Sequence, residues 1–307
     1  MPERNQVKSP PRKILLATDL SSRGDRALDR AAQLARQWEA QLHIVHVIDR
    51  RSASLSQAAD FLSSWRRSPD TSLAIQSRIR RDLREEVDQL KIHVEEGETA
   101  EVILDLVARE GCDLIVLGVG SDSFSARRVL GSNVERLVRR SPVSVLVVKS
   151  RPSGTYRHIL IGTDFTEESR YGLEMAARSF PNSRFTVMHA FEMPYGGILS
   201  DAALSRDFAA MEQKAIVEFV RDAALGDQVR SQIRTIIEHG SPDLMLCRYV
   251  EEEQADLTVI GAYGRGLLFH LLIGGNAPRI VDWVPSDILL VRAHREGLSS
   301  EGNIMSE

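Results

Sequence analysis

Cysteine is nearly absent: Cys112 and Cys247 are the only two in 307 residues, far apart and without partners at metal-ligand spacing. That count excludes a disulfide framework, argues against a structural zinc site, and fits a reducing compartment. Long apolar runs are missing too. No stretch reaches the ~18 residues that cross a bilayer, and the opening "MPERNQVKSPPRK" lacks the apolar core of a signal peptide. The expectation is a cytoplasmic protein with no membrane partner. Charge of one sign is not in excess either. A formal net charge of −4 leaves no basic footprint for nucleic acid.

Several catalytic signatures are also missing. There is no Gly-x-x-x-x-Gly-Lys-Ser/Thr loop, no Gly-x-Ser-x-Gly elbow, and no Gly-x-Gly-x-x-Gly after the first strand of either half. No nucleophile, base and orienting group stand together, so a dedicated enzyme is not expected.

What the chain does contain, it contains twice. "RKILLATDL" returns as "RHILIGTDF", "CDLIVLGVG" as "ADLTVIGAYG", and "SPVSVLVVK" as "VPSDILLVR". His46 and His189, Gly97 and Gly240, Gly118 and Gly261, and Pro142 and Pro285 are each 143 positions apart, and Asp19 and Asp164 are 145 apart. A period of that length is a duplicated domain, not a solenoid. The seam falls in "KSRPSGTYR", giving domains at 1–151 and 152–297 and a tail at 298–307 expected to be disordered.

Within each half, strand and helix alternate. "KILLAT" and "HILIGT" are short apolar runs, as strands buried on both faces should be. Apolar stripes at helical spacing follow them: Ala27, Leu28, Ala31, Leu34, Ala35 and Trp38, then Leu173, Ala176, Ala177 and Phe180. Further helices are expected around Ser77–Leu90 and Asp207–Ala224, with Thr99 and Ser241 as N-cap candidates for the helices after the third strands. The fold class is α/β: two tandem Rossmann-like or flavodoxin-like domains, each a mostly parallel five-stranded sheet covered by helices on both faces. Ligands of such sheets sit beyond the carboxyl ends of the strands. Asp19, Asp164, Gly118 and Gly261 all fall there.

The stretch "IGAYGRGLLFHLLIGGNAPRIV" holds the densest glycine. A strand ends at Gly261, Gly264 and Gly266 free the backbone, and Gly274, Gly275 and Asn276 open the fourth helix. Such a loop is either a sharp structural turn or a cradle whose free N–H groups receive phosphate; spacing alone leaves both open. The pattern Gly-x-x-Gly, nine residues, then Gly-small resembles the nucleotide loop of the universal stress proteins. Gly261, Gly264 and Gly274 match it, while Gly275 stands where that family has Ser or Thr. In the first half Gly118, Gly131 and Ser132 match, while Ser121 replaces the second glycine. The resemblance extends to "ATDLSS", "GTDFTEES" and "SPVSVLVV" and covers nearly all of both halves.

The resemblance implies a tandem stress-response protein that binds ATP, with magnesium, and changes its association with partners. It implies a nucleoside beside Asp19 or Asp164, adenine near Val47 or Ala190, and phosphates on the glycine loops. It also implies a pseudo-dimer within the chain, or a homodimer of chains, paired through the closing strands. Ser121 adds a Cβ where positive φ costs about 1 kcal/mol. Gly275 forgoes a hydroxyl hydrogen bond worth roughly 1.5–3 kcal/mol. The second half is therefore expected to be the better site. The alternatives are a nucleotide-free member acting as an interaction scaffold and a slow ATPase dependent on Asp19 or Asp164. His46 and His189 are expected to be satisfied core residues.

Overall fold

The computed structural model describes residues 10–21, 24–48, 71–84, 86–119, 132–191, 202–261 and 277–293. The first half runs β1 (Lys13–Ala17), α1 (Gly24–Gln37), β2 (Gln41–Ile48), α2 (Thr71–Asp82), β3 (Leu90–Glu96), α3 (Thr99–Glu110), β4 (Leu114–Gly118), α4 (Ser132–Arg140) and β5 (Ser144–Val148). The second runs β6 (His158–Gly162), α5 (Glu167–Ser179), β7 (Arg184–Phe191), α6 (Ala202–Asp222), α7 (Asp227–Gln232), β8 (Arg234–His239), α8 (Pro242–Glu253), β9 (Leu257–Gly261), α9 (Ala277–Trp283) and β10 (Asp287–Val291).

All ten strands form one sheet in the order β3-β2-β1-β4-β5-β10-β9-β6-β7-β8. Each half therefore has the Rossmann order, with the first strand between the second and fourth, and not the flavodoxin order. The inner strands β5, β6 and β10 are buried at every position because helices cover both faces. One face carries α1, α2, α5 and α6, through residues such as Leu34, Ile79, Leu173 and Ile216. The other carries α3, α4, α8 and α9, through Ile103, Leu137, Leu246 and Ile280. Each of these two cores runs unbroken through both halves.

The duplication reaches single hydrogen bonds. Asp113 Oδ2 accepts the N–H groups of Arg12 and Lys13, each at 3.0 Å. Asp256 Oδ2 accepts those of Arg157 and His158 at 2.8 and 2.9 Å. These carboxylates anchor the start of each first strand.

The halves meet where β5 and β10 pair antiparallel, with Leu146 opposite Leu289. Beside that pair Asp287 is fully buried; its Oδ1 accepts the N–H groups of Lys149 and Ser150, and its Oδ2 accepts the Tyr156 hydroxyl at 2.7 Å. Arg30, from α1, lies 3.5 Å from the same Oδ2 and 4.0 Å from the centre of the Tyr156 ring. The cation after each closing strand reaches the end of the other half's fourth helix: Lys149 donates to the Val284 carbonyl, and Arg292 to those of Val138 and Arg139. There the helix dipole favours positive charge.

Three local expectations need correction. The helix expected at Ser77–Leu90 is α2, which ends at Asp82, because Leu90 is drawn into β3 opposite Leu42. The helix expected to start at Asp207 begins at Ala202. The cap of α3 is Glu98, not Thr99: its carboxylate accepts the Glu101 N–H at 3.0 Å. Ser241 does hold the N-cap position of α8, without a side-chain capping bond.

His158 is buried at the start of β6, with Nε2 3.1 Å from the Thr186 hydroxyl. Burial, helped by the neighbouring Arg184 charge, pushes its pKa below the ordinary imidazole range. As pH falls through about 6.5 the unfolded chain therefore takes up this proton first. The histidine's contribution is complete above that pH and is lost on acidification. The urea midpoint should fall between about pH 7.5 and 5.5, and fall less in His158→Gln. Equal falls in both proteins would show that His158 is not the group responsible.

Candidate functional site

Between the parallel neighbours β1 and β4, and again between β6 and β9, the connections that follow the two strands leave in opposite directions along the sheet. These are the switch points where α/β sheets open a crevice at their carboxyl ends. Asp19 and Gly118 stand at the first, Asp164 and Gly261 at the second. Because β5 and β10 run antiparallel, the two carboxyl rims lie at opposite edges of the common sheet.

The turn after each first strand is built alike. Thr18 and Thr163 continue the ladder, donating their N–H groups to Val45 and Met188 at 3.0 Å. Their hydroxyls accept the N–H groups of Leu20 and Phe165, at 3.1 and 2.9 Å. Leu20 and Phe165 are held left-handed, at φ 60° and 62°. For a bulky apolar residue this costs of the order of 1 kcal/mol and is sustained only where surrounding bonds enforce it. His46 and His189 supply such bonds: each donates Nδ1–H to the carbonyl of Thr18 or Thr163, at 2.9 and 2.7 Å. Both histidines are hydrogen-bonded, as expected, but they are half-buried and not part of the core, and they also fix the end of the first strand where the aspartate sits.

The two aspartates then diverge. Asp19 is exposed, and its Oδ1 accepts the Ser21 N–H at 2.9 Å. Asp164 is half-buried; its Oδ1 accepts both the N–H and the hydroxyl of Thr166, at 3.2 and 2.5 Å. The other oxygen, Asp164 Oδ2, is enclosed and has no hydrogen-bond partner among the described residues. Thr166 is also the N-cap of α5, accepting the Ser169 N–H at 3.3 Å, and Glu167 and Glu168 follow in the first turn. That helix start is already satisfied and negatively charged, so it does not attract an anion.

Val47 and Ala190 lie near the ends of β2 and β7, both half-buried, opposite Glu95 and Glu238 on the neighbouring strands. Gly261 ends β9. A Cβ there would stand 3.0 Å from the Ser169 nitrogen and 3.1 Å from the Glu168 carbonyl carbon. A side chain at this position would push the first turn of α5, which crosses directly over it, aside by a few tenths of an ångström. Gly118 ends β4 in the equivalent place. Ser132 opens α4, and α9 begins at Ala277, immediately after Asn276. Ser121, Gly131, Gly264, Gly274, Gly275 and Asn276 lie outside the described residues.

Sequence reasoning missed Thr18, Thr163 and the left-handed residues after the aspartates. The signal available was the repeated Thr-Asp followed by an apolar residue.

A family model described as "Universal stress protein family" matches residues 11–149 and again 155–292. A Staphylococcus haemolyticus protein named for that family is 29% identical over 138 residues, covering 45% of this chain and 84% of its own. A universal stress protein of Methanocaldococcus jannaschii is 28% identical over 142 residues, covering 45% and 82%. Among solved structures, a universal stress protein from Archaeoglobus fulgidus aligns over 92% of this chain and 98% of its own, with TM-score 0.60 at 16% identity. A Pseudomonas aeruginosa protein described as functionally unknown aligns over 92% and 93%, with TM-score 0.62 at 22% identity. These structures share the fold.

Proposed function

Because the chain belongs to the universal stress protein family, we propose that it is an adenine-nucleotide-binding module, taking ATP with magnesium at the carboxyl rim of its second half. Asp164 Oδ2, enclosed and without a hydrogen-bond partner among the described residues, carries this reading. A buried acceptor left without a donor costs about 1–3 kcal/mol. A carboxylate can only accept, so its complement is a hydrogen-bond donor, and the vicinal hydroxyls of a ribose supply one. Phosphate would be repelled from this oxygen. It belongs instead on the loop that joins Gly261 to the start of α9. Ala190, at the end of β7, would border the base. Asp19, exposed and turned to its own loop, is the weaker counterpart. The module binds and releases its ligand without breaking it, and its association with partner proteins, or with a second copy, follows occupancy.

Calorimetric titration with ATP and magnesium tests this. Asp164→Ala should weaken binding by tenfold to a hundredfold, the loss of one charged hydrogen bond worth roughly 1.5–3 kcal/mol. Asp19→Ala should weaken it by less. An unchanged affinity in Asp164→Ala would remove the site from this rim. A second reading, a nucleotide-free interaction scaffold, draws on Glu167 and Glu168 at the mouth of the crevice. No binding at millimolar ATP would favour it.

A further inference from the structure

Away from both rims, three side chains of the first half converge over one face of the sheet. His43 is in the middle of β2 and fully buried; His93 is on β3, opposite Val45, and so on the same face; Glu110 is the last residue of α3. His43 Nδ1 lies 3.2 Å from His93 Nε2 and 3.7 Å from Glu110 Oε2, and one donor atom from each residue falls within 4.8 Å of the others. Two imidazole nitrogens on a tetrahedral zinc ion, each about 2.0–2.1 Å from it, are about 3.3 Å apart.

The surroundings orient these donors. Gln41 Oε1, 3.0 Å from His43 Nε2, can only accept, so His43 carries its proton on Nε2 and bares Nδ1 toward His93 and Glu110. A hydrogen bond from the remote N–H to a fixed acceptor is how proteins aim a ligating histidine. In the ion-free state His93 donates Nε2–H to His43; a shift of that proton to Nδ1 turns a second lone pair to the same point. Burial lowers the His43 pKa to about 4 and also lowers that of His93, so both rings are neutral near pH 7. The Lys91 ammonium beside Glu110 holds its carboxyl below the usual range. Lys91 Nζ sits 3.1 Å from Glu110 Oε2 and competes for it, but Lys91 is half exposed and can swing into water. Lys13, Glu95 and Arg109 complete the charged surroundings, with Lys13 Nζ donating to the Glu110 carbonyl at 2.7 Å. In the second half the equivalent positions hold Thr186, Ile236 and Glu253. Among the described residues the arrangement occurs once, without the symmetry of the fold.

We propose that His43, His93 and Glu110 bind one divalent transition-metal ion of the zinc class, with water completing the coordination sphere. Bound there, the ion clamps the end of α3 to the outer strands β2 and β3.

The test uses the full chain, stripped with a chelator and free of nucleotide. Equilibrium dialysis against zinc should load one ion per chain, and cobalt should give the visible absorption of a tetrahedral nitrogen–oxygen set. His93→Gln and Glu110→Gln should each weaken binding by at least about tenfold, with circular dichroism confirming the fold. Glu253→Gln should leave it unchanged. Lys91→Ala should tighten it, a gain that misfolding cannot produce. Failure to bind at micromolar free zinc would overturn the proposal. Equal zinc loading and affinity in wild type, His93→Gln and Glu110→Gln would overturn it too.

Discussion

Asp287→Ala is expected to destabilise the protein by about 3–5 kcal/mol, the cost of removing one partner from a buried ion pair. Asp287 is fully buried and serves four groups at once: the N–H groups of Lys149 and Ser150, the Tyr156 hydroxyl, and Arg30, itself only 4% exposed. After truncation the guanidinium remains enclosed. It keeps a 2.8 Å bond to the Gly154 carbonyl and its place over the Tyr156 ring, but no counter-charge. Tyr156 and the two amides lose their acceptor as well. Asp287→Asn retains an oxygen for the amides and should cost less. Denaturation in guanidinium chloride measures both. A loss below about 1 kcal/mol for Asp287→Ala would mean that water or a neighbouring group replaces the carboxylate.

Phe180→Ala should cost a comparable 3–5 kcal/mol, the range for deleting a buried aromatic ring. Phe180 closes α5 and is 3% exposed. Its ring centroid is 5.5 Å from that of Trp38, just past α1, and 5.3 Å from that of Tyr156, which it meets edge-on. Trp38 Nε1 donates to the Ser179 carbonyl at 3.0 Å, so the ring cluster is fixed by a hydrogen bond as well as by area. Because α1 belongs to the first half and α5 to the second, the cavity opens between the halves. Trp38→Ala should therefore couple to Phe180→Ala by 0.5 kcal/mol or more in a double-mutant cycle. Strict additivity would show that the two rings do not form one unit.

Much of this architecture was legible because both copies of the sequence say the same thing. Continuous apolar runs such as "KILLA" and "HILIG" marked inner strands, and the stripe through Ala27, Leu28, Ala31, Leu34 and Ala35 marked α1, where all five are buried. The choice between the Rossmann and flavodoxin orders was not legible, since strands apolar on both faces look alike wherever they lie in the sheet. The outer β3 alternates only weakly, and α2 before it was placed several residues late for that reason. At the rim, Asp19 and Asp164 could be picked out by their place after a strand. The left-handed Leu20 and Phe165 could not, because bulky apolar residues argue against positive φ. The cluster of His43, His93 and Glu110 draws on three separate elements, and only the register of β2 against β3 brings the two rings together.

The antiparallel pairing of β5 with β10 joins two homologous halves that the chain between β5 and β6 already tethers covalently. Their union is a first-order event: it does not depend on protein concentration and cannot be undone by dilution. It also releases the halves from identity. In an assembly of two identical chains every substitution appears twice, once in each copy, and must be tolerated in both settings. Here Asp19 can lie open while Asp164 is half-buried with one oxygen enclosed, and two histidines can meet a glutamate in one half while threonine and isoleucine fill their places in the other. The tether thus permits a division of labour between near-duplicate scaffolds.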